Sequence, residues 1–284
     1  MEIRRLQGPF GAVASDADIG KADDKTISRL VEALYDNQIL VISGQSLSDA
    51  EYVRFGNHWG QPLEFFAASR RRNDFPELIK QDNAADTPAN VRDGAGHWHS
   101  DGTYEEVPAS VTMLYGKEAP DKGGETLITS TVLAYEALPD TMKSRIENLV
   151  GLHCLSGAPP LEGETFAYIP EEIARLGVHQ HPFVMRHPVN GAKALFLSGS
   201  AFGIQGMDKS EARALIAELR AHATRPEFRI AYKVMPGDLF LWDNFSTMHR
   251  ATPIEYSDEP GKRRLLYRIS TRGMPSSIQS RKPA

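Results

Sequence analysis

Two hydrophobic periods share this chain, and each marks different elements. Ile27, Leu30, Val31 and Leu34 recur at i, i+3, i+4 and i+7, which predicts a helix over 24–36. The unbroken apolar run Ile39-Leu40-Val41-Ile42, inside 38–43, predicts a buried strand. Ser48-Asp49-Ala50-Glu51 has the capping-box form, a serine with a glutamate three residues on, and opens a second helix toward Trp59. Strands are predicted at 78–81, 109–115 and 126–129. A helical segment over 131–138 stops at Pro139, which has no N–H to continue it, and another covers 140–149. In the C-terminal half, Asp208-Lys209-Ser210-Glu211 caps a helix whose apolar stripe is Ala212, Leu215, Ile216 and Leu219. Around it lie strands at 183–186, 194–197, 228–234, 239–242 and 264–270, with a tight turn at Pro236-Gly237-Asp238.

Many short strands, with helices gathered at the start and in insertions, predict a mainly β fold with flanking helices and a jelly-roll core. Such a core can hold a metal at one mouth. No internal repeat or linker interrupts the chain, so residues 1–284 are read as a single domain. The stretch 83–96 is polar with glycine and proline and is read as a flexible approach to the histidine-bearing segment that begins at His97. Residues 156–180 contain Gly157, Pro159, Pro160 and Gly163, and a connection of that length inside a compact domain is read as an active-site lid.

Composition excludes several roles. The net charge is −5 with no long basic block, which argues against a nucleic-acid or membrane-surface partner. Arg70-Arg71-Arg72 is a local cationic spot, read as a solvated loop. The single cysteine, Cys154, rules out an internal disulfide framework and any multi-cysteine metal site; it lies in an apolar stretch and is read as a buried, inert thiol. The first nine residues carry no apolar signal-peptide core, and no apolar run approaches membrane-spanning length. The expectation is a soluble cytoplasmic protein with a small-molecule substrate, its assembly into a homo-oligomer left open.

The chemistry concentrates in His97-Trp98-His99-Ser100-Asp101 and a distant histidine, His249, in Trp242-Asp243-Asn244-Phe245-Ser246-Thr247-Met248-His249. Residues two apart on a strand point to one side, so His99 and Asp101 can aim at one metal while His249 joins from another strand. Two histidines and one carboxylate form the facial triad of non-haem Fe(II), which leaves positions open for a co-substrate and O₂. His97 is a competing ligand two residues earlier, placed outside the set by the scarcity of catalytic irons with four protein ligands. Arg264 and Arg268 share one face of the last strand, about 13 Å apart, with Leu265, Tyr267 and Ile269 on the other. Two guanidiniums inside a barrel are costly unless anions neutralise them, and a carboxylate held in a bidentate fork is the natural partner. The remaining histidines, His58, His153, His179, His181, His187 and His222, show no ligand spacing and are read as structural or surface residues.

With His99-Ser100-Asp101, Gly123-Gly124-Glu125-Thr126, Trp242-Asp243-Asn244, His249, Arg264 and Arg268 in view, the chain resembles the Fe(II)/2-oxoglutarate-dependent dioxygenases of the taurine dioxygenase and 2,4-dichlorophenoxyacetate dioxygenase family. The resemblance runs over nearly the whole length. It implies a double-stranded β-helix core, iron on His99, Asp101 and His249, and 2-oxoglutarate and O₂ as co-substrates. It gives Thr126 and Arg264 to the distal carboxylate of 2-oxoglutarate, Trp242 to the border of the co-substrate, and Arg268 to an anionic group of the substrate or to support of the co-substrate. The implied reaction decarboxylates 2-oxoglutarate to succinate and CO₂ and hydroxylates a substrate carbon, with C–O or C–S cleavage where that carbon bears a heteroatom. The substrate is then a small organic anion: an aryloxyalkanoate, a sulfonate or another carboxylate.

Departures from the pattern narrow this. Ala95 stands where taurine-specific members carry an asparagine, and 63–68 lacks their histidine, so taurine is disfavoured. Thr247-Met248-His249-Arg250-Ala251 is closer to the aryloxyalkanoate branch. The carboxylate of Asp101 argues against halogenation, since related halogenases lack it. Two rival readings are a zinc hydrolase using the same three ligands and a non-catalytic barrel that binds a small anion. The hydrolase leaves Thr126 and the arginine pair without a purpose, and the intact ligand set argues against the binding barrel.

Overall fold

The computed structural model describes residues 1–64, 71–87, 95–155 and 176–279. Strands β1 (Glu2–Arg5) and β2 (Ala12–Ser15) precede helix α1 (Asp24–Asn37), β3 (Ile39–Ile42) and α2 (Asp49–Gly56). Next come β4 (Gln61–Pro62), β5 (Ile79–Asp82), β6 (Val111–Glu118) and β7 (Thr126–Ser130), then α3 (Thr131–Glu136), α4 (Asp140–Ile146) and β8 (Val150–His153). The strands β9 (His179–Pro182), β10 (Val184–Arg186), β11 (Lys193–Leu195) and β12 (Ala201–Ile204) lead into α5 (Lys209–Ala223). The chain continues through β13 (Arg229–Tyr232), β14 (Leu239–Asp243), β15 (Thr247–Ala251) and β16 (Leu265–Arg272) to α6 (Ser276–Gln279).

An eight-stranded major sheet runs β1-β2-β3-β14-β6-β16-β4, with β5 also on β16, and a minor sheet runs β13-β7-β15. Between them lies one apolar layer: Ile39 and Val41 of β3, Phe240 and Trp242 of β14, Leu114 of β6 and Leu266 of β16 meet Ile128 and Ile230 of the minor sheet. The alternate residues Leu40, Ile42, Leu239 and Leu241 face the other way and pack under α1 and α2. Helices cover one face of the major sheet and a second sheet covers the other, so β3 is apolar throughout and β14 is apolar from Leu239 to Trp242. Their runs read as buried strands for that reason. The outer face of the minor sheet is covered in turn by α3 and α5, with Leu215, Ile216 and Leu219 packed near Trp98 and Met248. This two-sheet arrangement is the jelly roll that the strand pattern predicts.

Local signals hold closely. Asp23 caps α1 by accepting the Thr26 N–H at 2.8 Å, and the Ser48/Glu51 capping box makes both of its bonds. The helix predicted over 140–149 is shorter, because Val150 already belongs to β8. The arginine triplet needs correction: Arg72 is no solvated side chain. It pairs with Asp49 at 2.6 Å and with Asp74, and its guanidinium lies over Tyr267 and Phe75. Arg71 pairs with Glu64. Cys154 is buried, as its apolar surroundings suggest. No described helix is long and apolar enough to cross a membrane. The stretch read as a lid, 156–180, falls outside the described residues over 156–175.

Candidate metal centre

Strand β15 pairs with β7 along one edge, and along its other edge it receives the segment before Asp101. His99 and His249 form a reciprocal hydrogen-bonded pair: His99 N donates to His249 O at 3.0 Å, and His249 N donates to His99 O at 2.7 Å. Ala251 N also donates to Ala95 O at 2.8 Å. Backbone pairing thus brings together two histidines far apart in sequence, with ring centroids 4.2 Å apart. Asp101 completes the set, with Oδ1 3.9 Å from His99 Nε2 and Oδ2 3.7 Å from His249 Nε2. The ligand atoms of the three residues lie within 4.8 Å of one another, the spread expected when one ion sits among them. Among the described residues no other histidine, cysteine or carboxylate group forms such a cluster, and His97 is not part of it.

The tautomer of His99 is set by its neighbour. His99 Nδ1 lies 2.7 Å from His97 O, and a carbonyl only accepts, so Nδ1 carries the proton and Nε2 keeps its lone pair. His249 is buried, which pushes its pKa well below the ordinary histidine value; nearby His99 lowers it further against the pull of Asp101. A neutral imidazole is what a divalent metal requires. For Asp101, burial raises the pKa, but Arg268, His249, His99 and the Thr112 hydroxyl outweigh it and hold the carboxyl well below the usual range. Two imidazoles and a carboxylate fit Fe(II).

A loop from the far side supports the motif. Gly199 N donates to Trp98 O at 3.0 Å, and Ser100 N donates to Ser198 Oγ at 3.2 Å. Ser100 Oγ donates to Thr247 O at 2.7 Å, tying the motif to the start of β15. The Trp242-Asp243-Asn244 turn contributes in three directions. The Trp242 ring packs on His249 at 4.4 Å between centroids, with Nε1 donating to Asn244 Oδ1 at 3.1 Å. Asp243 turns away from the metal ligands toward His187, 3.0 Å from its Nε2, and accepts from Ser246 Oγ. Asn244 Oδ1 accepts the backbone N–H of Asp101 at 3.1 Å.

Of the two arginines, Arg268 lies on β16 while Arg264 falls just before it, and the two behave differently. Arg268 lies inside, with Nη2 2.9 Å from Asp101 Oδ1 and with Nε and Nη2 both on Ser270 Oγ. Arg264 passes over Gly124, its Cδ only 3.3 Å from where a Cβ there would sit. Gly124 has φ +81, so a side chain at that position meets both strain and the arginine. Burial pushes the Arg264 guanidinium down to about 10, opposed by Tyr256, and no described carboxylate pairs with it. Thr126, two residues after Gly124, is buried on the side of β7 that also carries Ile128. Thr112, bonded to Asp101, and Ser270, bonded in turn to Thr112, carried no signal beyond their fit to strands.

Comparison with known proteins agrees with this geometry. Residues 2–270 match the family described as taurine catabolism dioxygenase TauD, TfdA family. The 2,4-dichlorophenoxyacetate dioxygenase of Cupriavidus pinatubonensis is 32% identical over 92% of this chain and 94% of that protein. The (S)-phenoxypropionate/alpha-ketoglutarate-dioxygenase of Sphingobium herbicidovorans is 29% identical over 97% and 96%. A solved structure of AAD-2 in complex with Mn(II) and N-oxalylglycine superposes with a TM-score of 0.80 at 28% identity, over 96% of this chain and 98% of that one. A ligand triad whose two histidines are joined by one backbone pairing, in a jelly roll matched over residues 2–270, identifies the chain as a member of the taurine catabolism dioxygenase TauD, TfdA family.

Proposed function

We propose that this chain is an Fe(II)- and 2-oxoglutarate-dependent dioxygenase that hydroxylates a small organic anion, with iron on His99, Asp101 and His249. The observation that carries the reading is the convergence of those three ligands with the Arg268 guanidinium on Asp101, together with a second guanidinium, Arg264 just before β16, that is buried without a described carboxylate partner. Bound iron would supply oxygen activation coupled to decarboxylation of 2-oxoglutarate. The chain's own residues do the rest. Arg264, with Thr126 beside it, neutralises the distal carboxylate of 2-oxoglutarate, and Trp242 closes the wall behind His249. A buried guanidinium and a planar carboxylate satisfy each other in a way a lysine cannot. Arg268 supplies positive charge for the anionic group of the primary substrate. A zinc hydrolase would give Arg264 nothing to bind.

The relatives named for phenoxypropionate and 2,4-dichlorophenoxyacetate, and an alkylsulfatase of Acinetobacter baylyi at 30% identity over 96% of this chain and 85% of that protein, point to aryloxyalkanoates, alkyl sulfates and sulfonates as the substrates to try. The test is succinate release from 2-oxoglutarate with Fe(II), with and without each compound. Release that needs Fe(II), rises with one class of anion and disappears in His99→Ala, Asp101→Ala and His249→Ala is the expected result. Full turnover in any of these variants removes that residue from the centre.

A further inference from the structure

Asp101 is held by a hydrogen-bond network whose proton positions are fixed by its own members. Asn244 Oδ1 accepts two N–H groups, from Asp101 N and from Trp242 Nε1, both at 3.1 Å. Those donors orient the amide, so Nδ2 is the end that faces Thr112 Oγ1 at 3.0 Å. On the other side, Ser270 Oγ receives Arg268 Nε at 3.2 Å and Nη2 at 3.0 Å, which fills both of its acceptor positions. The proton of Ser270 therefore goes to its remaining neighbour, Thr112 Oγ1, 2.9 Å away. Thr112 now accepts from Asn244 and Ser270 and has one proton left. The acceptor in reach is Asp101 Oδ2, at 2.7 Å.

Sheet register makes this arrangement a built one. Trp242 and Ser270 both pair with Thr112, so the three occupy one row across β14, β6 and β16. Thr112 is fully buried. A buried hydroxyl with two donors aimed at it is expensive unless its own proton has a fixed destination.

We infer that Thr112 is a positioning residue for the metal carboxylate: its hydroxyl, aimed by Asn244 and Ser270, fixes the orientation in which Asp101 meets the metal. Arg268 on Oδ1 and Thr112 on Oδ2 grip one oxygen each, so the carboxylate cannot rotate without breaking both contacts. Each oxygen keeps one acceptor position for a metal. The inference rests on the proposed metal centre of His99, Asp101 and His249.

Mn(II) titration of the protein without 2-oxoglutarate, followed by the loss of the free-ion EPR signal, tests it on wild type, Thr112→Val and Thr112→Ser. Valine keeps the shape and removes the hydroxyl, and the dissociation constant is expected to rise by about 10- to 100-fold. Serine restores the hydroxyl and is expected to return affinity close to wild type, with the Co(II) visible spectrum also restored. The apparent KM for 2-oxoglutarate at saturating metal should change little in either variant, because Thr112 does not touch the co-substrate side. Should valine prevent folding, Thr112→Ala makes the same comparison without added bulk. Unchanged Mn(II) affinity on loss of the hydroxyl, or a serine variant as weak as valine, overturns the inference. A wild-type protein that binds no Mn(II) instead overturns the metal-centre reading on which it rests.

Discussion

Arg268 is bound to Asp101 through a 2.9 Å contact between Nη2 and Oδ1, so the arginine expected to meet the substrate is already in contact with the residue expected to hold the metal. Its charge is shared between a protein carboxylate and any arriving anion. Arg268→Ala should therefore weaken the primary substrate by about 1.5–3 kcal/mol, the range for one hydrogen bond to a charged group. Because Arg268 also holds Asp101 Oδ1, the comparison is made at saturating Fe(II), where decarboxylation of 2-oxoglutarate without substrate should survive comparatively well. Separate titrations of substrate and 2-oxoglutarate against the variant check this; an equal loss for both would make the two arginines one co-substrate clamp.

Arg264 should show the opposite selectivity and a larger effect. It is pressed against Gly124 with no described carboxylate partner, and burial already lowers its pKa to about 10. Truncation to alanine leaves an incoming carboxylate buried and unpaired, which costs on the order of 2–5 kcal/mol in 2-oxoglutarate binding. Arg264→Lys should recover only part of this, because an ammonium lacks the planar fork. The apparent KM for 2-oxoglutarate in the three proteins is the measurement. A lysine variant equal to wild type would show that charge alone suffices.

The sequence was most readable where burial is complete on both sides. Ile39-Leu40-Val41-Ile42 and Leu239-Phe240-Leu241-Trp242 are unbroken apolar runs because the major sheet is covered on both faces. The helical stripe of α5 is clear because one face alone is buried. Strand β9, His-Gln-His-Pro, was not legible as a strand, and β15, Thr-Met-His-Arg-Ala, was legible only through the ligand argument that puts His249 on a strand, since histidines and an arginine occupy positions that apolar residues would otherwise mark. The exposed edge strand β1, Glu-Ile-Arg-Arg, buries too little to leave a pattern. In the site, the candidate ligands His99, Asp101 and His249 were legible by spacing. Thr112 and Ser270 were not, because a threonine or serine inside a strand reads as an ordinary β residue. Only the register across three strands shows what they face.

The supporting loop gives a prediction about glycine size. A Cβ on Gly199 would lie 2.5 Å from His97 Cδ2 and 2.9 Å from Trp98 O, and the backbone there cannot yield without moving the residue before His99. Gly199→Ala should cost about 1–3 kcal/mol of stability, as overpacking of a filled core does, and should also weaken metal binding. Gly203→Ala is the control, since its Cβ meets Leu152 Cδ1 at an ordinary 3.4 Å. Urea midpoints and Mn(II) titrations of both variants check the pair. A Gly199→Ala protein with wild-type metal affinity would show that the loop does not position the motif.

His153 makes stability depend on pH through a group outside the metal centre. It is fully buried, its Nδ1 is 2.9 Å from Ser200 Oγ, and its Nε2 has no hydrogen-bond partner among the described residues. Burial, with a smaller contribution from His181 at 5.1 Å between ring centroids, pushes its pKa down to about 3 from an unperturbed 6.5. Between those values the unfolded chain binds a proton that the folded chain does not. The unfolded state therefore holds more protons, and stability must rise with pH across that window and fall on acidification. The slope approaches about 1.4 kcal/mol per pH unit once the pH is below the unfolded value, or roughly 2 kcal/mol between pH 6.5 and 5 as an upper bound. His181, also buried with a lowered pKa, adds to the same slope. His153→Gln keeps a polar group for Ser200 and removes the titration. The variant is expected to be less stable than wild type at pH 7 but to lose less on going to pH 5. Urea unfolding of both proteins at the two pH values measures the difference. Parallel losses in wild type and variant would mean that His153 does not set the acid limit of this fold.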